Sequence, residues 1–248
     1  MFERMTSAER IELAQERMQK VLDNFLYLLK LHANNQFVVY TPTLSRQIRP
    51  SFAANAFNVF QRSMYQIEIV RLCALWDAVG KDKDDKEKES IPLVVALIDN
   101  PAVISELVAT ARSQYRPVDF LGAGITPDEA KAIAASRGKR EAKRARAGLK
   151  RAITAARTIM ATSRLASVIN VRDKHIAHSL AVTKREKKGL VAPMSIRDGR
   201  ELLKKSASIV ERLYRWVNCK SFSIADSKKI NKKNAQALWK GCKIKVLR

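Results

Sequence analysis

From Ile11 to Leu29 the apolar residues fall at Ile11, Ala14, Met18, Val21, Leu22, Phe25, Leu28 and Leu29. Steps of three and four place all of them on one stripe of an α-helix about five turns long. A strand would send such neighbours to opposite faces, so the pattern commits the start of the chain to helix. Thr6 followed by Glu9 supplies a capping box just before the stripe begins.

The same period continues along the chain. After the break VVYTPTLSRQIRP, the spacing predicts a second helix from near Ser51 to Val79, with Phe60, Ile67, Val70 and Ala74 inward and Trp76 near its end. Gly80 to Ser90, GKDKDDKEKES, reads as a mixed-charge loop with no apolar anchor. Ser90 and Pro92 open a third helix, which Asn100-Pro101 interrupts or kinks. The connection YRPVDFLGAGITPDE leads to Thr126, Pro127, Asp128 and Glu129: a cap, a proline at the first helical position and first-turn acids. A long helical segment is expected from about Arg140 to Leu180, where KREKKGL breaks it. Ser195 then caps a last helix to about Val217, with Leu202, Val210, Leu213 and Val217 inward. The tail from 218 to 248 is basic, and reads either as a short helix around KKINKKNAQALWK or as a flexible arm. No segment alternates as a strand does and no repeat is found. Gly 8 and Pro 7 are few for 248 residues, which argues against a loop-rich β chain. The expected fold class is all-α, a helical bundle.

The first residues, MFERMTSAER, carry charge and no apolar signal segment. The longest uncharged apolar run, near IPLVVALI, is far short of the roughly 20 residues that a membrane span needs. Cys73, Cys219 and Cys242 are scattered and form no CxxC pair. These features together predict a cytoplasmic protein with reduced thiols and no membrane partner.

Charge divides the chain. Residues 1–136 hold 16 basic and 17 acidic side chains, whereas residues 137–248 hold 31 basic and 7 acidic, a net of +24. Such asymmetry points to a polyanionic partner, most simply nucleic acid. The densest run, Arg137 to Arg151 (RGKREAKRARAGLKR), has eight basic residues and one acid. Arg140, Lys143, Arg144, Lys150 and Arg151 are the candidate RNA-binding residues; the plainer alternative is a solvated helix face. No aromatic residue interleaves the run, so base stacking is not expected there.

Two of the three histidines stand together in NVRDKHIAHSL, Asn170 to Leu180. On an α-helix Arg172 and His175 are neighbours at i,i+3, as are His175 and His178. Arg172 and His178 lie about 120° apart around the axis and about 9 Å along it. One regular helix therefore does not aim both at a single small target. Either two copies of the segment meet in one cleft, or the helix ends or bends inside the motif. A purely structural alternative makes Arg172 and Asp173 helix-end charges and His178 a C-terminal cap. His175 and His178 at i,i+3 suit a metal poorly, because no inward Glu-x-x-His pair or cysteine ligand accompanies them. His32, on the polar-to-apolar border of the first helix, reads as a packing residue.

The segment from Arg172 to His178 resembles the R-x(4–6)-H motif of the HEPN superfamily, with five residues between arginine and histidine and the family's polar position on Asp173. The amphipathic first helix, RLCALWDAVGKDKDDKEKESIPLVVALIDNP and the helix ending RDKHIAHSL also resemble the AbiU-like abortive-infection branch. The likeness covers roughly residues 1–217, with 80–126 as an insertion or connection and the basic tail, 218–248, outside it. It implies a HEPN-like helical bundle and, for many members, a homodimeric endoribonuclease that uses no metal or other cofactor. In that reaction the ribose 2′-OH attacks the adjacent phosphorus and leaves a 2′,3′-cyclic phosphate. Carried onto this chain, His178 is the proton-transfer group and Arg172 holds the phosphoryl oxygens. Asp173 orients one of them, and His175 is a second acid–base or a supporting residue. A histidine with an ordinary pKa of about 6.5 suits the first task, and a guanidinium fork suits the second. The implied partners are RNA, a second copy, and an antitoxin or nucleotidyltransferase. The other reading is a non-catalytic nucleotide- or RNA-binding or interaction module under a partner's control.

Overall fold

The computed structural model describes residues 2–80, 87–120 and 124–246. The mixed-charge loop expected over Gly80–Ser90 lies mostly outside the described residues, as do residues 121–123 of the next connection. Helix and turn account for the described chain, with no strand. The helices are α1 (Ser7–Val38), α2 (Phe52–Ala74), α3 (Ile91–Ile98), α4 (Pro101–Ser113), α5 (Pro127–Met160), α6 (Ser163–Val171), α7 (Ile196–Val217) and α8 (Ile224–Trp239). A π-helical turn, Arg172–Ile176, follows α6 directly.

Short polar side chains set where the helices begin. At α1, Thr6 Oγ1 accepts from the Glu9 amide (3.2 Å) while Glu9 accepts from the Thr6 amide (2.7 Å). Thr126 and Glu129 repeat this box before α5. Ser51, Ser90, Asn100, Thr162 and Ser223 accept first-turn amides of α2, α3, α4, α6 and α8. Each bond satisfies a donor that the helix itself leaves open. Asn100 and Pro101 thus separate two helices rather than kink one.

The chain forms two compact units, each drawn from three stretches. The first comprises Met1–Val21, Asp77–Met160 and Ser208–Phe222. Its core takes Ala14 and Met18 from α1, most of α3, and Leu149, Ile153, Leu213 and Val217. Arg10 donates to the carbonyls of Leu97 (2.8 Å) and Ala96 (3.0 Å) at the end of α3. Arg157 pairs with Asp99. Buried Glu141 receives Arg215 at 2.7 Å and Arg144 at 3.5 Å, so its charge is compensated. On α5 the buried positions Ala130, Ala134, Gly138, Glu141, Ala145, Gly148, Ala152 and Ala156 form a ridge of mostly small residues. A Cβ at Gly138 would fall 2.7 Å from the Arg112 carbonyl oxygen of α4, which shows how closely these two helices approach.

The second unit comprises Leu22–Trp76, Ala161–Ala207 and Ser223–Arg248. Phe25, Leu28 and Leu29 of α1, Ile69, Leu72 and Trp76 around the end of α2, and Val168 and Leu202 are buried in it. Trp76 Nε1 donates to Ser206 Oγ at 3.0 Å. Buried Glu68 accepts His32 Nδ1–H at 2.7 Å and Asn35 Nδ2–H at 2.5 Å. Burial and the Glu68 carboxylate push the Tyr40 phenol far above its ordinary pKa. Trp239 Nε1 donates to Asn34 at 2.7 Å.

Four expectations are corrected here, and an open alternative is resolved. The long helix from Arg140 to Leu180 is two helices and a π turn, because Thr162 caps a new start two residues after Met160. The face of α2 is reversed: Phe60, Ile67 and Val70 are exposed, and Ile69, Leu72 and Cys73 are buried. That helix also ends at Ala74 rather than Val79. His32 is a hydrogen-bonded residue rather than plain packing, with its second ring nitrogen 2.9 Å from Gln36 Nε2. The tail from 218 contains the regular helix α8 rather than a flexible arm.

Candidate functional site

The motif is positioned from both sides of its turn. Upstream, α6 buries Leu165, Val168 and Ile169, and the Val168 carbonyl accepts the Cys73 thiol of α2 at 3.7 Å. At Arg172 the helix widens, and the Ala177 amide reaches back five residues to the Arg172 carbonyl at 2.8 Å. A π turn holds one more residue than an α turn and is common at functional sites. Downstream, Glu186 fastens the returning loop. Its Oε1 accepts Lys174 Nζ (2.9 Å) and Asn170 Nδ2 (3.1 Å), and its Oε2 accepts the Thr183 amide (2.9 Å). Thr183 Oγ1 in turn donates to Asn170 Oδ1 and accepts from the Glu186 amide. Lys174 chiefly, with the Thr183 amide and Asn170, holds the Glu186 carboxyl down at about 2.

Within this frame Arg172 and Asp173 are brought together. Asp173 Oδ1 receives Arg172 Nη2 at 2.8 Å and Nε at 2.9 Å, a charge-assisted contact between half-buried side chains. His175 is exposed near the end of the π turn, and His178 is exposed just past it. Neither imidazole has a hydrogen bond or ion pair among the described residues. The helix thus ends inside the motif, the second of the two arrangements that the 120° offset left open. Both rings are open to a ligand, and the guanidinium in the same turn is aligned by Asp173.

Arg140, Lys143, Arg144, Lys150 and Arg151 are all exposed on α5. They belong to the first unit, whereas the motif belongs to the second. Arg144 leans toward Glu141, and Arg151 donates to the Ala147 carbonyl at 3.2 Å. The break at Ala161–Thr162 separates α5 from the motif, so the basic run does not feed into it as one helix. Among the described residues no group of three or more His, Cys, Asp or Glu side chains is gathered to hold a metal. No single described helix is long and apolar enough to cross a membrane.

Sequence reasoning passed over Arg200, Lys204, Lys228 and Lys232, which line a cavity of about 410 Å³ in the second unit. The available signal was their i,i+4 spacing on two separate helices.

An all-α chain with an Arg-Asp pair and two open histidines at the end of a buried helix has the makings of a HEPN protein. The AbiU2 family model of the HEPN superfamily matches residues 2–238, and the chain belongs to that family. The match runs through nearly all of α8, past the residue 217 at which the motif-based likeness was drawn. No curated protein and no solved structure matches.

Proposed function

We propose that this protein is a metal-independent endoribonuclease of the abortive-infection type. The observation that carries the reading is the turn itself: Asp173 aligns Arg172, and two solvent-facing histidines follow within six residues. In the proposed reaction His178 accepts the 2′-OH proton and O2′ bonds to phosphorus. The P–O5′ bond then breaks, and O5′ takes a proton from a second acid. The products are a 2′,3′-cyclic phosphate and a 5′-hydroxyl. Arg172 offers two parallel N–H donors to the equatorial oxygens as charge builds on them. Asp173 keeps the guanidinium in place. His175, or His178 of a second copy, supplies the leaving-group proton.

A homodimer is part of the proposal. On α2, Phe52, Val59, Phe60, Ile67 and Val70 form an exposed apolar stripe within about 100° of arc. The same helix packs against the motif turn. A second copy covering this stripe would lie beside the motif, which supports a composite site. The exposed cations of α5 support RNA as the partner. They would equally serve a protein that binds RNA without cutting it.

Incubation of the purified chain with total RNA and tRNA, with and without EDTA, tests the reading. Cyclic-phosphate and 5′-hydroxyl ends formed in EDTA are the expected result. RNA bound but left intact would favour the non-catalytic module. Loss of cleavage on adding EDTA would refute the mechanism.

A further inference from the structure

The cavity of about 410 Å³ in the second unit is not accounted for by the motif. Three helices line it, and two supply a cationic pair at i,i+4: Arg200 and Lys204 on α7, Lys228 and Lys232 on α8. Each pair spans about 6 Å of helix, so its two charges sit on one face. No carboxylate lines the cavity, and the three lysines have no ion-pair partner among the described residues. Arg200 lies over the Tyr40 ring at 4.1 Å, and its buried Nε has no hydrogen-bond partner among the described residues. The opposite wall is α1, where Leu29 and Phe37, with Leu203 of α7, give an apolar surface. His32 and Gln36 complete that wall, and Glu68 holds the imidazole from behind.

Four like charges around one small space repel one another unless an anion joins them. A single carboxylate would neutralise one. Two linked phosphates carry enough negative charge for both pairs, and the Arg200 fork suits two phosphoryl oxygens at once. The apolar part of the wall suits a ligand that also carries a body leaving water. We propose that this cavity binds a small organic diphosphate, with its phosphates on Arg200, Lys204, Lys228 and Lys232 and its body on Leu29, Phe37 and Leu203. The site stands whether or not the motif cuts RNA. It gives the basic tail a task as the cationic wall of a binding site.

The body can come from a nucleoside or from an isoprenoid, and calorimetric titration of the full chain with ADP and with geranyl diphosphate separates the two. At least one of them is expected to bind about tenfold or more tighter than inorganic pyrophosphate, which lacks the body. Lys228→Glu and Lys232→Glu should each weaken that ligand at least about tenfold. Lys229→Glu makes the same charge change one residue away and off the cavity wall, and should stay within about twofold. All three lysines are exposed, so helix content by circular dichroism should match the parent protein. The proposal is overturned if neither ligand binds up to about 1 mM. It is equally overturned if pyrophosphate binds as tightly as both, or if Lys229→Glu costs as much as Lys228→Glu.

Discussion

Arg172 and Lys174 are both cations in the motif, yet the structure gives them different work. Arg172 is aligned by Asp173 at the open side of the turn, whereas Lys174 is bound to Glu186 and holds the loop. If His178 is the proton-transfer group proposed above, His178→Ala should lower the RNA-cleavage rate by about 10²–10⁴-fold. Arg172→Lys should not rescue Arg172→Ala, because an ammonium lacks the planar fork. Wild-type rates in both the His178→Ala and Arg172→Ala variants would remove the motif from the chemistry. Glu186 gives a separate, structural prediction. Its folded pKa, about 2, lies below the ordinary 4.5, so the unfolded loop binds protons more readily than the folded one. The stabilisation is full above about pH 4.5 and is lost as pH falls toward 2. Protection of residues 180–190 from hydrogen exchange, corrected for the intrinsic rate at each pH, should therefore fall over that window, and Glu186→Gln should show the unprotected loop already at pH 7. An unchanged loop in Glu186→Gln would count against the staple. The motif's place at a helix end was legible in the sequence as one of two alternatives, because residue types and spacing are local. Glu186 was not, since nothing in KREKKGL marks one glutamate as the partner of Asn170 and Lys174 upstream.

Elements were easier to find than the faces they bury. Thr6, Ser90, Asn100 and Thr126 announced their helices because a capping side chain acts within three residues. The sequence does not reveal the buried face of α2, because the helix carries two apolar stripes. Val70 and Leu72, two residues apart, point about 160° away from each other, and only the tertiary fold chooses Leu72. The break at Thr162 was hidden for a similar reason, since Ala161, Thr162 and Ser163 fit a helix nearly as well as they end one. The ridge of small residues on α5 carries a prediction of its own. A Cβ at Gly148 would lie under 3.0 Å from three atoms of the buried Trp216 ring. Gly148→Ala gains about 1 kcal/mol of helix propensity. Against that stands an overpacking cost of about 1–3 kcal/mol, and contacts this short place it at the upper end. A melt should show a net loss, at about 2–4 °C of Tm per kcal/mol for a chain of this size. A rise in Tm would mean that Trp216 has room to move.

At the scale of the whole molecule, charge and discontinuity matter most. If RNA binding uses the exposed cations of α5, with about six to ten phosphates contacted, affinity should fall by roughly 10³–10⁵ between 50 and 200 mM salt. Reversing Lys143, Arg144 and Lys150 should flatten that dependence. Affinity indifferent to salt would leave the +24 segment as a solubilising surface. The proposed pairing of two copies should appear as a dimer mass by light scattering, and Phe60→Asp with Ile67→Asp should halve it without unfolding the exposed face they occupy. A wild-type monomer at micromolar concentration would end that idea. Each compact unit is assembled from three separated stretches, and the first is completed only by Ser208–Phe222. A growing chain therefore exposes its motif to the cell before either unit has all its pieces. A polypeptide released after residue 178 but before residue 208 carries Arg172 and His178 on an unfinished scaffold. If the motif cuts RNA as proposed, the nascent ribonuclease stays incomplete until Ser208–Phe222 has been made.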